Sequence, residues 1–202
     1  MTPEWIKNSP AAEVMAAVDV DRMWHTLEYF STLNRNSGKA DEHKACRYIA
    51  EQLSAAGVPY DLYEFEAYLS HPRSAGLTIY HPRYQAFQTI THSFSGNTPP
   101  PGVAGDLVFI GSPEFEPGMA MDTSLFENVD LRCKIVLAEG LVSPWKTTIA
   151  QEKGAIALIN ANATDQRHNM IVSTAWGMPA ADELHLVPDI PVISLNREDG
   201  QA

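Results

Sequence analysis

"CKIVLAEGLVSPWKTTIAQEKGAIALIN", residues Cys133 to Asn160, carries the pattern that decides the fold. Lys134 to Ala138 is a short, mainly apolar run of strand length, and Gly140 bounds it. Ser143-Pro144 then supplies a helix cap followed by proline in the first turn, where its missing N–H is no loss. The helix runs through Trp145, Ile149 and Lys153 and closes at Gly154; Ala155 to Asn160 reads as the next strand. Strand, helix and strand in succession predict a parallel pair joined by a right-handed crossover.

Similar strand signals lie on either side. "GDLVFIG" (Gly105 to Gly111) and Ile190 to Leu195 are short apolar strands, the latter followed by polar Asn196-Arg197-Glu198-Asp199-Gly200, which opens another element. Residues 112–130 and 161–188 read as long, mostly irregular connections. Tyr84 to Thr91 and Leu77 to Tyr80 are further strand candidates, and "SGNTPPPG" between them and Gly105 cannot enter a sheet interior. His71-Pro72-Arg73 and His81-Pro82-Arg83 invite a metal or anion reading, but proline after a strand is ordinary turn punctuation.

Further upstream, Tyr63, Phe65, Ala67 and Leu69 alternate with Glu64 and Glu66, so Tyr60 to Leu69 is expected to form a half-exposed strand. Residues 1–57 read as helical. Ser9-Pro10 opens one helix, and Asp19 or Asp21 caps a second with Met23, Trp24, Leu27 and Phe30 near a 3.6 period. A third begins near Asp41 and carries Ala45, Tyr48, Ile49, Leu53 and Ala56 on one stripe, with Gly57 suited to a left-handed cap. The fold class is therefore α+β / α/β: N-terminal helices and a strand, then a β-rich part with short crossover helices.

Composition bounds the function. The 202 residues suffice for a buried core without disulfides or metal, and 25 acidic against 14 basic residues give a net charge of −11. Such a chain repels phosphate backbones and anionic lipid, and no basic cluster reverses this locally, so neither nucleic acid nor membrane is an expected partner. Cys46 and Cys133 read as reduced thiols, since their spacing fits no disulfide framework. The N-terminus has no apolar signal core and no 18-residue apolar stretch occurs, so a cytoplasmic chain is expected, or a secreted one if a signal has been trimmed.

Local chemistry is sparse. HExxH is absent; His25 and Glu28 lie i, i+3 on one helix, and Asp182, Glu183 and His185 lie in a loop, but a pair without third and fourth ligands is no metal site. Ser95, His92 and Asp106 form a conceivable trio, although the strand–turn–helix elbow of G-x-S-x-G is missing. No glycine-rich phosphate loop occurs. Asn162-Ala163-Thr164 fits the glycosylation sequon, a match expected by chance in a chain of this length. Catalytic, cofactor-binding and metal-binding residues are thus all expected to be absent.

Two groups of segments carry a resemblance. "RNSGKADEHKACRYIAEQLSAAGV" (Arg35 to Val58) is similar to the opening of zinc-dependent aminopeptidases of the glutamate carboxypeptidase and transferrin receptor type. "GDLVFIG", "VDLRCKIVLAEG", "KGAIALIN" and "IPVISLNREDG", in that order, resemble the protease-associated (PA) domain inserted into those enzymes. Cys133 stands where the family usually has Gly, and Lys39 where it usually has Ser.

The resemblance implies an incomplete peptidase-like segment over residues 1–70 and a PA-type domain over 71–202. It implies that the family's metal ligands follow the Asp-Gly at the end of the PA domain, so none maps onto this sequence. On this reading the chain is the non-catalytic front of a zinc metallopeptidase, its PA domain a lid, substrate-access or interaction surface. The parent would hold two zinc ions and act on peptides. The helices at 19–57 would meet the missing peptidase domain or a second copy. The alternatives are a stand-alone PA-type module binding a peptide or sugar, and a small hydrolase using Ser95 or an unrecognised metal.

Overall fold

A computed structural model describes residues 9–112, 123–175 and 177–202. The chain divides into two compact units, Met1–Ala67 and Tyr68–Ala202.

The first unit holds three helices: α1 (Pro10–Ala16), α2 (Val20–Ser31) and α3 (Ala40–Ala55). Asp19 caps α2, its carboxylate accepting the Arg22 N–H at 2.9 Å, which removes one of the orphan donors of the first turn. At the end of α3 the Val58 N–H reaches Leu53 O and the Gly57 N–H reaches Ser54 O, a Schellman closure that needs Gly57 at φ 69°. Lys39 sits at the N-cap of α3, where it supplies no side-chain cap. Asp41 and Glu42 accept the N–H groups of Asn34 and Gly38 instead, which ties the preceding loop to the first turn. The two longer helices meet through Tyr48, which stacks on Tyr29 at 4.6 Å, meets Phe30 edge-on at 5.5 Å and hydrogen-bonds Thr26 at 3.1 Å.

The expected stripe on α2 therefore splits. Phe30 turns inward, whereas Met23, Trp24 and Leu27 stay 57%, 62% and 59% exposed. Tyr60 to Leu69, expected as a strand, joins no ladder, and Tyr63 and Phe65 are 78% and 76% exposed. Its alternation is that of a strand, but a strand exists only where a neighbour takes up its N–H and C=O groups, and none does among the described residues.

The second unit is built on a five-stranded sheet. Its strands β3 (Ile90–Thr91), β4 (Leu107–Phe109), β5 (Ile135–Glu139), β6 (Ala157–Ala161) and β7 (Val192–Leu195) lie in the order β3-β7-β6-β5-β4. β4 to β7 are parallel and β3 is antiparallel to β7. Helix α5 (Pro144–Glu152), capped by Ser143, joins β5 to β6 as the sequence predicts. The expected strand over 84–91 is two strands. β2 (Gln85–Gln88) pairs with β1 (Gly76–Ile79) in a separate hairpin, and the chain re-enters the main sheet as β3. The short helix α4 (Ser124–Glu127) lies in the connection expected to be irregular, whose residues 113–122 fall outside the described ones.

One sheet face carries the core. Val136 and Ala138 of β5, Leu158 of β6 and Val192 of β7 pack with Ala150 of α5 and Phe126 of α4, all fully buried. β6 is buried along its whole length, as a central parallel strand must be. A final helix, α6 (Arg197–Gln201), is capped by Asn196 Oδ1 from the Asp199 N–H and closes onto β6. A Cβ at Gly200 would collide with that of Ala161, so this approach requires glycine.

Cys133 lies at φ 59°, with its N–H on Gly154 O at 2.9 Å. The left-handed region costs a side chain with a Cβ about 1–2 kcal/mol. Cys133→Gly is expected to stabilise the second unit by about 1 kcal/mol. Thermal unfolding would register this as a midpoint roughly 2–4 °C higher.

Candidate functional site

Each residue singled out by its sequence has a definite place. His25 and Glu28 line a cavity of about 590 Å³ between α2 and α3 with Lys44, Arg47 and Glu51. Glu28 accepts the Trp24 indole N–H at 3.0 Å, and Lys44 pairs with Asp41 at 2.7 Å. Asp182, Glu183 and His185 serve their own turn: the His185 ring meets Asp182 O at 2.8 Å and Glu183 accepts the Ala180 N–H at 2.9 Å. Among the described residues no group of three or more His, Cys, Asp or Glu could hold a metal ion. Cys46 is half-buried and Cys133 exposed, both free thiols.

The trio Ser95, His92 and Asp106 is not brought together. Ser95 Oγ accepts the Val192 N–H at 2.8 Å, which ties a loop to β7. Asp106 pairs with Lys134 at 2.6 Å at the start of β4 and β5, and that hydrogen bond holds its carboxyl below the usual range. His92, 2% exposed, instead meets Ser194 of β7. The Met170 N–H donates to Nδ1 at 3.3 Å, so the ring proton sits on Nε2 and is donated to Ser194 Oγ at 2.9 Å. A general base would have to accept the serine proton there, and this ring donates one. Burial pushes its pKa down to about 4, so the imidazole is a neutral pin between β7 and the 170–172 segment.

Two further buried polar groups escape sequence reasoning. Lys146, 3% exposed, donates from Nζ to Glu139 O at 2.6 Å and Leu141 O at 3.0 Å, and burial pushes it down to about 8. Asn160, fully buried on β6 between Ala138 and Ser194, has no partner for either amide atom among the described residues. The only signal for it is an amide inside the apolar run "AIALIN". Asn162 of the sequon is 3% exposed and donates to Gln166 O at 3.0 Å.

A concave feature of the second unit lies on the other sheet face. Leu107, Leu137, Ile159 and Leu195 face Leu77, Ile79 and Phe87 of the β1–β2 hairpin across a cavity of about 470 Å³. His81, Arg83 and Asp199 stand at its rim, and Asp199 is paired with Arg167 at 2.8 Å. Its size and apolar lining suit a small ligand or a few side chains.

No protein-family model matches the chain, and no curated protein matches it in sequence. Among solved structures it is similar to an aminopeptidase from Aneurinibacillus sp. strain AM-1, at 24% identity and a TM-score of 0.60, over 91% of this chain and 39% of that one. A zinc aminopeptidase from Bacillus subtilis follows at 20% identity and TM-score 0.49, over 81% and 35% of the two chains. A peptidase M28 precursor from Shewanella amazonensis SB2B follows at 15% and 0.48, over 82% and 38%. The last two similarities are too weak to add to the first. The fold is aminopeptidase-like, and the chain spans well under half the length of the proteins it resembles. No helix among the described residues is long and apolar enough to cross a membrane.

The unfolded chain protonates His92 near pH 6.5 and the folded one only near 4, so its contribution is complete above 6.5 and lost as pH falls toward 4. Urea unfolding is expected to show about 2 kcal/mol less stability at pH 5 than at pH 7.5 from this group. His92→Gln should flatten that dependence while lowering stability at neutral pH.

Proposed function

We propose that this chain is the non-catalytic front of a zinc-dependent aminopeptidase. Residues 1–70 are the start of the peptidase domain, and 71–202 form an inserted PA-type domain acting as lid or substrate-access surface. The observation that carries the reading is the fold likeness to the Aneurinibacillus aminopeptidase, which extends over 91% of this chain but only 39% of that enzyme. The order of the motifs over Arg35–Val58 and Gly105–Gly200 supports the same reading. The parent enzyme would use two zinc ions to activate water for peptide hydrolysis. The described residues offer no matching donor set, so no catalytic step is assigned to this chain.

The exposed Met23, Trp24 and Leu27 of α2 and Ile49 of α3 are the surface on which the rest of a peptidase domain would sit. In the isolated chain the same surface drives self-association. Sedimentation velocity is expected to show concentration-dependent dimers that Trp24→Glu with Leu27→Glu abolishes. A monomer at every concentration counts against this use of the surface.

The experiment on the main reading compares the 202-residue chain with a longer polypeptide continuing through its gene. The short chain is expected to retain no stoichiometric zinc and to leave leucine-p-nitroanilide uncut. The longer one is expected to cut it and to lose that activity to a chelator. Turnover by the short chain overturns the reading, and a gene that ends at Ala202 turns it toward a stand-alone binding module.

A further inference from the structure

The groove of the second unit is bordered by a sheet edge that no other strand among the described residues covers. β4 is the terminal strand, and its bonds to β5 use one parity: Asp106 O accepts from Ile135 N–H at 2.9 Å and the Ile110 N–H donates to Leu137 O at 3.0 Å. In a parallel ladder this leaves the N–H and C=O of Leu107 and Phe109 directed to the open side. Their side chains share the groove face and are 45% and 58% exposed, while Val108 packs on the core. Such an edge is a template for another strand unless charge, proline or a bulge blocks it, and neither charge nor proline occurs from Leu107 to Ile110.

Three features therefore coincide: backbone groups along β4 with no ladder partner among the described residues, an apolar cavity of about 470 Å³ beside them, and Arg83 at the rim. Asp199, the acidic rim residue, is neutralised by Arg167, whereas Arg83 has no ion-pair partner among the described residues. Arg83 is thus a side-chain charge left unpaired among the described residues at a cavity that Ala202 also lines, on a chain that is otherwise strongly acidic.

We propose that β4 takes up an extended peptide as an added strand, one aliphatic side chain entering the groove and a carboxylate meeting Arg83. The partner class is a short unstructured segment with alternating aliphatic residues and an acidic end. In this mode main-chain hydrogen bonds supply affinity and the groove supplies side-chain selection. The proposal requires no peptidase activity and stands or falls apart from the proposed parent enzyme.

The probe is the acetylated peptide Thr-Leu-Thr-Leu-Glu with a free C-terminus, titrated into the 202-residue chain by calorimetry and by amide NMR. Saturable binding is expected, with shifts at Leu107, Phe109 and the β1–β2 hairpin. N-methylation of the alternate amides that face β4 should weaken it at least tenfold. Arg83→Gln, or an uncharged peptide ending in glutamine amide, should weaken it about threefold, the size of a surface charge contact. Phe109→Pro removes the outward N–H together with a half-exposed side chain, so it should weaken binding well beyond Phe109→Ala, which removes the side chain alone. If that variant does not fold, the N-methylated peptide decides alone. Absence of saturable binding, equal affinity for the N-methylated peptide, or occupation of β4 by a second copy of this chain would each overturn the proposal.

Discussion

Strand β6 is buried from Ala157 to Ala161 on both faces, and a parallel strand so placed must have a layer on each side of it. On one side α5 and α4 provide that layer with Ala150 and Phe126. On the other, the cover comes from the β1–β2 hairpin, which leaves a cavity, and from α6. The hairpin and α6 contribute little mass but decide how open that face is. Gly200 matters for this reason: any side chain there would lift α6 off the end of β6.

Polar pins hold the margins of the same sheet. His92 joins β7 to the 170–172 segment, Ser95 joins a loop to β7, and Lys146 closes the corner between β5 and α5 through two carbonyl oxygens. Each satisfies groups that would otherwise be buried unpaired, at a cost of about 1–3 kcal/mol apiece. Asn160 departs from this scheme, an amide in the middle of the sheet with no partner for either atom among the described residues. These side chains give the unit specificity at its edges, and none of them is arranged to activate a nucleophile.

The parts legible in the sequence were those decided locally. Ser143-Pro144 and Gly154 mark α5 because a cap, a proline in the first turn and a left-handed glycine each act within one turn of helix. Gly57 and the strand runs before and after α5 are of the same kind. What was not legible depended on distant partners. Tyr60 to Leu69 has a strand's alternation but no neighbour to pair with, and Tyr84 to Thr91 looks like one strand yet divides between two sheets. The groove could not be read at all, since Leu77, Leu107, Leu137 and Leu195 are brought together only by the sheet order.

The setting of Asn162 has a consequence for the chain's history in a cell. Its amide nitrogen is already engaged by Gln166 O and shielded from solvent once the unit has folded. A glycosylating enzyme can reach it only while the polypeptide is still open. A sugar attached at that stage would stand where the folded unit leaves Asn162 3% exposed, so glycosylation and closure of this sheet exclude one another.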